Sequence, residues 1–256
     1  MILKNVHARY VYGLTATPVR KDGHHPIITM QCGKIRFRDD EKKQAAIRPF
    51  NHYIVPRFTD FQLIAAIETD DDELSITKLY AKIISDNSRN QMIINDIISC
   101  FEGGRNCLIL TERTAHLELL TNELCARIPD VVSLKGAMGA KETRDRMARI
   151  TNAPLNKPLV IVATGKYIGE GFDAPRLDTL FLVMPISWRG TLQQYAGRLH
   201  RNFEGKREVL IYDYIDNQIP VFEKMYNKRL AGYSSIGYTV KENWDTLDIY
   251  QKSLPF

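Results

Sequence analysis

Cysteine is scarce. Cys32, Cys100, Cys107 and Cys125 are the only four in 256 residues. None makes a C-x-x-C pair, which argues against a zinc ribbon or a thioredoxin-type site. Four in a chain this long make no disulfide scaffold, and a reducing, cytoplasmic setting fits them best. No apolar run approaches the ~20 residues that cross a bilayer. Charge interrupts every apolar stretch of the opening Met1–Arg9, so neither a membrane span nor a signal peptide is expected. Internal repeats and low-complexity tracts are absent. His24-His25 has no carboxylate or cysteine at ligand spacing, so no metal site is expected. What is there is ordinary: 44% hydrophobic and 25% charged residues exclude a disordered chain. The net charge of +5 is compatible with a polyanion such as nucleic acid. Taken alone, it fits a plain soluble surface better.

The first 50 or so residues are rich in turn signals. Tyr10–Tyr12 reads as a short strand, with two more at Ile27–Gln31 and Lys34–Arg38. His52–Phe58 reads as another, and Asp70–Glu73 as an acidic loop. Leu74–Asp86 and Arg89–Glu102 show helical periodicity. Ser88 with Gln91 resembles a capping box for the second of these helices, and Gly103-Gly104 ends it. Strand patterns at Asn106–Thr111, Val131–Leu134, Leu159–Thr164, Leu177–Met184 and Glu208–Tyr212 then alternate with helical ones. The helical patterns are Arg113–Arg127, Lys141–Ile150, Gly190–Arg201 and Ile219–Leu230. This alternation predicts an α/β fold, a parallel sheet with helices on both faces. Ligands of such folds bind beyond the carboxyl ends of the strands.

The sharpest constellation is Gln193-Gln194-Tyr195-Ala196-Gly197-Arg198-Leu199-His200-Arg201. On a helix, Gln194, Arg198 and Arg201 share one face, and two guanidinium forks there can bind an anion bidentately. After the strand ending at Thr164, a loop with Gly165, Gly169 and Gly171 either presents N–H groups to phosphate or is an ordinary turn with unusual dihedrals. Thr164 adds a hydroxyl and Lys166 a point charge. Thr111 and Arg113 close another strand, where Thr111 either meets a ligand or caps the next helix. Lys135-Gly136 either binds phosphate or makes a turn. Trp188 and Phe172 read as packing residues.

At these residues the chain resembles superfamily 2 helicases. Gln193 to Arg201 is similar to their motif VI, which supplies arginine fingers to ATP. Gly13-Leu14-Thr15-Ala16-Thr17-Pro18 resembles motif III, which couples nucleotide to nucleic acid. Cys107 to Arg113 resembles motif IV, and Ala163 to Asp173 resembles motif V. The four fall in the family's order over residues 9–215. The form of motifs III and V resembles DEAD/DEAH-like DNA helicases of the restriction and repair type.

The resemblance implies a RecA-like helicase C-terminal core over 73–232. Residues 1–50 would be a remnant of the first core, 51–72 a linker and 233–256 an extension. Arg198 and Arg201 would be arginine fingers, with Gln194 beside them. Gly169, Glu170, Gly171 and Asp173 would face ATP. Thr111, Arg113, Lys135, Thr164 and Lys166 would hold the nucleic-acid backbone, with duplex DNA as the expected track. Thr15 and Thr17 would couple the two. The family holds ATP and Mg2+ by a P-loop, G-x-x-x-x-G-K-[ST]. Gly33-Lys34, Gly165-Lys166 and Gly205-Lys206 each lack the rest of it, and no D-E-x-H follows an apolar strand. The expectation is therefore a half-motor without turnover of its own, completed by a P-loop core in cis or in trans, with residues 1–50 loosely packed. The alternative is a non-catalytic nucleic-acid-binding or regulatory module.

Overall fold

The computed structural model describes residues 9–15, 29–30, 32–38, 40–63, 75–136, 138–168, 172–186 and 189–241. The chain enters through α1 (Glu41–Ile47) and β1 (Asn51–Phe58), followed by α2 (Ile76–Ser85) and α3 (Asn87–Glu102). Then come β2 (Cys107–Thr111), α4 (Thr114–Cys125), β3 (Val131–Leu134), α5 (Ala140–Thr151) and β4 (Val160–Thr164). The last part is α6 (Gly165–Ile168), β5 (Thr179–Leu182), α7 (Arg189–Gly197), β6 (Glu208–Ile215), α8 (Pro220–Ser235) and β7 (Thr239–Val240). The seven strands make one sheet in the order β3-β4-β2-β5-β6-β1-β7. Every pairing is parallel.

Strand alternation explains the two-sided core. Along β2, Leu108 and Leu110 point to one face, where they pack with Ile150 of α5, Leu192, Tyr195 and Ala196 of α7 and Tyr233 of α8. Cys107 and Ile109 point to the other, against Ile93, Ile94 and Ile97 of α3 and Leu117, Leu120 and Leu124 of α4. Both faces are buried, so the central strands are apolar without interruption. A third cluster at the carboxyl edge joins Leu79 and Ile83 of α2 to Met184, Ile219 and Phe222.

Charged groups fasten the carboxyl ends of β1 and β6. Arg89 lies fully buried in the first turn of α3, and its Nε donates to Asp216 Oδ1 at 2.8 Å. The Thr59 hydroxyl donates to the same oxygen at 2.6 Å. Arg229 of α8 pairs bidentately with buried Asp213, at 2.8 and 2.9 Å, and the Tyr233 hydroxyl donates to Asp213 at 2.8 Å.

Several local expectations change. Residues 9–15 form no strand, and Tyr10, Tyr12 and Leu14 are exposed; a strand needs a paired neighbour to satisfy its backbone. Thr29 and Met30, expected in a strand, are helical, and the Gly33 N–H bonds back to Thr29 O at 2.9 Å. Residues 34–38 lie outside regular structure. Asp86, not Ser88, caps α3: its carboxylate accepts from Arg89 N at 2.7 Å. The helix expected to run to Arg201 stops at Gly197. Beyond it the amides of Arg198, Leu199 and His200 bond three residues back, to Tyr195, Ala196 and Gly197. Glycine is a poor helix interior residue, and the chain tightens there into successive turns.

The sheet also runs wider than residues 73–232. β1, in the segment assigned to a linker, lies between β6 and β7. Tyr233, Ile236 and Tyr238, in the segment assigned to an extension, are buried in the core. Ala45 of α1 packs on Gly237 so closely that a Cβ there would lie 2.5 Å from it. Residues 40–50 are thereby tied to the domain.

Candidate functional site

Of the predicted residues that the structure describes, all but Thr15 gather at the carboxyl edge in two groups. One lies at the ends of β2, β3 and β4, the other around the turn that follows α7. In the first group Thr111 is 1% exposed and faces inward. Burial and the nearby Arg89 charge lower the His116 pKa to about 3, so its ring is neutral. Asn90 Nδ2 donates to Ile84 O, which leaves Asn90 Oδ1 to accept from His116 Nε2 at 3.0 Å. His116 Nδ1 must then accept, and the Thr111 hydroxyl donates to it at 3.2 Å. Thr111 Oγ1 accepts in turn from the Arg113 N–H at 3.3 Å. The donor chain is complete, and it shapes the loop that carries Arg113.

Arg113 sits half-buried with its guanidinium 5.5 Å from the Tyr80 ring centre. Tyr80 stacks on Phe222 and donates to Pro185 O at 3.1 Å. Burial first, then the Glu112 charge, raise the Tyr80 pKa. The cation is held on an aromatic face at the rim. Lys135 follows β3 and pairs with Glu118 at 2.8 Å across an open surface, a contact worth little there. Thr164 is buried at the end of β4. Lys166 lies on α6, with its side chain outside the described atoms. Gly169, Glu170, Gly171 and Thr17 also fall outside the described residues, as do His24-His25 and Trp188, while Thr15 is exposed.

In the second group, Arg198 is half-buried and its Nη1 donates to Phe172 O at 2.7 Å. Burial, then the Arg201 charge, lower the Arg198 pKa, and Asp173 opposes them. Arg201 is 58% exposed and pairs with Asp173 at 3.2 Å. Gln194 is exposed on α7. Arg198, Arg201 and Asp173 thus come together, although a continuous helix does not bring them there. A hydrogen bond joins the two groups. The Tyr195 hydroxyl of α7 donates to Glu112 Oε1 at 3.0 Å. A Cβ on Gly165 would strike that hydroxyl and lie 2.5 Å from Glu112 Oε1. Glu112, Tyr195, Tyr80 and His116 were not singled out by motif. Glu112 and Tyr195 stand inside quoted motifs and could have been found; Tyr80 carries no local signal.

The second group suits polyphosphate: two guanidinium groups stand within one turn, and the more exposed of them is paired to an exposed carboxylate. Among the described residues no group of three His, Cys, Asp or Glu side chains is placed to hold a metal ion.

A seven-stranded parallel sheet with these loops at its carboxyl edge defines a RecA-like helicase core. Residues 89–203 match the family described as helicase conserved C-terminal domain. Transcript termination protein A18 of fowlpox virus is 27% identical over 82% of this chain and 44% of its own length. Transcript termination protein OPG145 of variola virus is 32% identical over 75% and 38%. A putative ATP-dependent RNA helicase, L396 of Acanthamoeba polyphaga mimivirus, is 20% identical over 98% and 47%. The chain spans less than half the length of these relatives. Among solved structures, T4 UvsW shares the fold with a TM-score of 0.58 at 18% identity, over 75% of this chain and 41% of that one. The C-terminal domain of the DEAD-box protein Dbp5 does so with 0.50 at 11%, over 76% and 91%.

Proposed function

We propose that this chain provides the second motor core of an ATP-dependent nucleic-acid translocase, with duplex DNA as its track. The observation that carries the reading is the turn after α7. It presents Arg201 at the surface, paired to an exposed carboxylate, and Arg198 beside it on a backbone carbonyl. A nucleotide phosphate, with more charge than Asp173, can take over the Arg201 fork. Both guanidinium groups then face the charge that develops on phosphoryl oxygens. Gln194, Asp173 and the loop of Gly169, Glu170 and Gly171 border the same nucleotide. Bound ATP supplies the phosphoryl group, and this chain's part is to hold and neutralise it from one side. A P-loop core, in cis or in trans, supplies the Mg2+ carboxylates.

The other group serves the track. Arg113, Lys135, Thr164 and Lys166 hold backbone phosphates, and Thr111 acts from inside by fixing the Arg113 loop. Thr15 and Thr17 belong to the coupling segment. The four cysteines, all free thiols, suit a reducing cytoplasm. No helix among the described residues is long and apolar enough to cross a membrane.

The test is ATP turnover by the chain alone and with a P-loop core added, each with and without duplex DNA or RNA. We expect none alone. With both cores we expect turnover that DNA stimulates and Arg201→Ala lowers by about 10³-fold or more. Turnover by the chain alone that Arg201→Ala abolishes would overturn the half-motor reading. Stimulation by RNA and not by DNA would overturn the choice of track.

A further inference from the structure

Arg198 and Arg201 lie past the end of a helix, where backbone carbonyls have lost their intrahelical donors. Something else has to hold the turn in shape. Lys206 does so from beneath. Its ammonium donates to Leu199 O at 3.0 Å, to Arg201 O at 2.8 Å and to Pro175 O at 2.7 Å. The Phe50 ring covers it, 5.4 Å away at its centre. Three protons meet three carbonyls, and a π face closes the remaining side. The preceding Gly205 has a φ of +82°, a conformation that lets the chain double back, and Lys206 N bonds to Phe203 O at 3.2 Å. Burial lowers the Lys206 pKa to about 8, and Asp178 opposes the shift. At neutral pH the ammonium therefore keeps its three protons.

The carbonyls it gathers come from two segments. Leu199 and Arg201 belong to the arginine turn. Pro175 belongs to the loop that offers Phe172 O to Arg198 and Asp173 to Arg201. The arginines and Lys206 thus cross-link the same two segments, but differently. The arginine links open when the guanidinium groups turn to a phosphate, whereas the lysine link stays closed because it uses only backbone.

We propose that Lys206 is a positioning residue for Arg198 and Arg201: it fixes the arginine turn against the Phe172–Pro175 loop while the guanidinium groups exchange their present partners for phosphate. The proposal rests on the reading of those arginines as phosphate ligands. All three donors of Lys206 are committed to backbone carbonyls, so its role is to hold the turn.

The experiment is amide hydrogen exchange on the full 256-residue chain, without nucleotide, in Lys206→Met and Lys206→Arg. Met keeps the stem and removes the donors; Arg restores donors. In Lys206→Met we expect the amides of Arg198, Leu199 and His200 to lose protection by about tenfold or more. The amides of Leu108 to Leu110 in β2 should be unchanged. Lys206→Arg should recover part of the lost protection. Unchanged exchange of the turn in Lys206→Met would overturn the proposal. So would an equal loss in β2, or a Lys206→Arg that exchanges like Lys206→Met. Because no ATP is present, failure here is separable from failure of the arginine-finger reading, which the turnover assay judges.

Discussion

Gly165 shows how a single missing side chain can couple three segments. It follows Thr164 of β4 directly, and the Tyr195–Glu112 pair lies where its Cβ would be. β2, β4 and α7 therefore converge on one hydrogen bond that only glycine allows to form. Gly165→Ala forces the pair apart or shifts the start of α6. Overpacking of this kind costs about 1–3 kcal/mol, read as a lower urea midpoint. Tyr195→Phe removes the atom that collides first, so the double variant should lose less than the sum of the singles. Strict additivity would mean that Gly165 is tight for another reason. The residue types at this site were legible in the sequence, because Thr164, Gly165, Arg198 and Arg201 stand in short patterns. The directions of their side chains were not. Thr111 resembled a surface donor, yet its hydroxyl is committed to His116. That commitment depends on Asn90, 21 residues earlier in the chain than Thr111, which no local pattern ties to it.

At the scale of elements, α3 is anchored less by its cap than by the ion pair of its first turn. Arg89 and Asp216 have no exposed side-chain surface, and Thr59 adds the end of β1 to the pair. Removing one partner leaves a buried charge without its counterion, which costs about 3–5 kcal/mol. Arg89→Met should therefore destabilise strongly. Arg89→Met with Asp216→Leu, which removes both charges, should recover most of the loss in chemical denaturation. A double variant as weak as Arg89→Met would show that the pair's packing, not its charge, holds α3. The strand-helix succession was legible because both sheet faces are buried and the strands read as apolar runs. Three elements were not. α7 ends early because Gly197 lies where the arginine spacing suggested continuity. Tyr10–Tyr12 has strand composition but no paired neighbour among the described residues. β1 has a strand pattern of its own, but the parallel partner that puts it inside the sheet, β6, is more than a hundred residues away.

Across the whole molecule, three histidines make the fold sensitive to acid. Burial is the largest cause at each. It brings His52 to about 4, with Arg48 adding to the shift, and His116 to about 3, with Arg89 adding. His200 falls to about 2, where Arg48, His52 and Lys206 add their charges. His52 and His200 lie edge to face with ring centres 5.1 Å apart, and His200 Nε2 is 3.0 Å from the Tyr238 hydroxyl. All three rings are neutral in the folded chain at pH values where the unfolded chain would already be taking up protons, from about 6.5 downward. The unfolded state then binds more protons, so stability is full above about pH 6.5 and falls as the pH drops below it. Each ring contributes a loss of about 1–2 kcal/mol by about pH 5. The three together amount to a large part of the stability of an ordinary domain. The urea midpoint should be flat from about pH 8 to 7 and drop steeply between about 6.5 and 5. The His116 ring protons, followed by NMR, should show no titration until the fold itself is lost. A midpoint that stays level to about pH 5, or a His116 ring that titrates near 6.5, would mean that these rings are hydrated in solution. The Asn90–His116–Thr111 chain that shapes the Arg113 loop would then not hold.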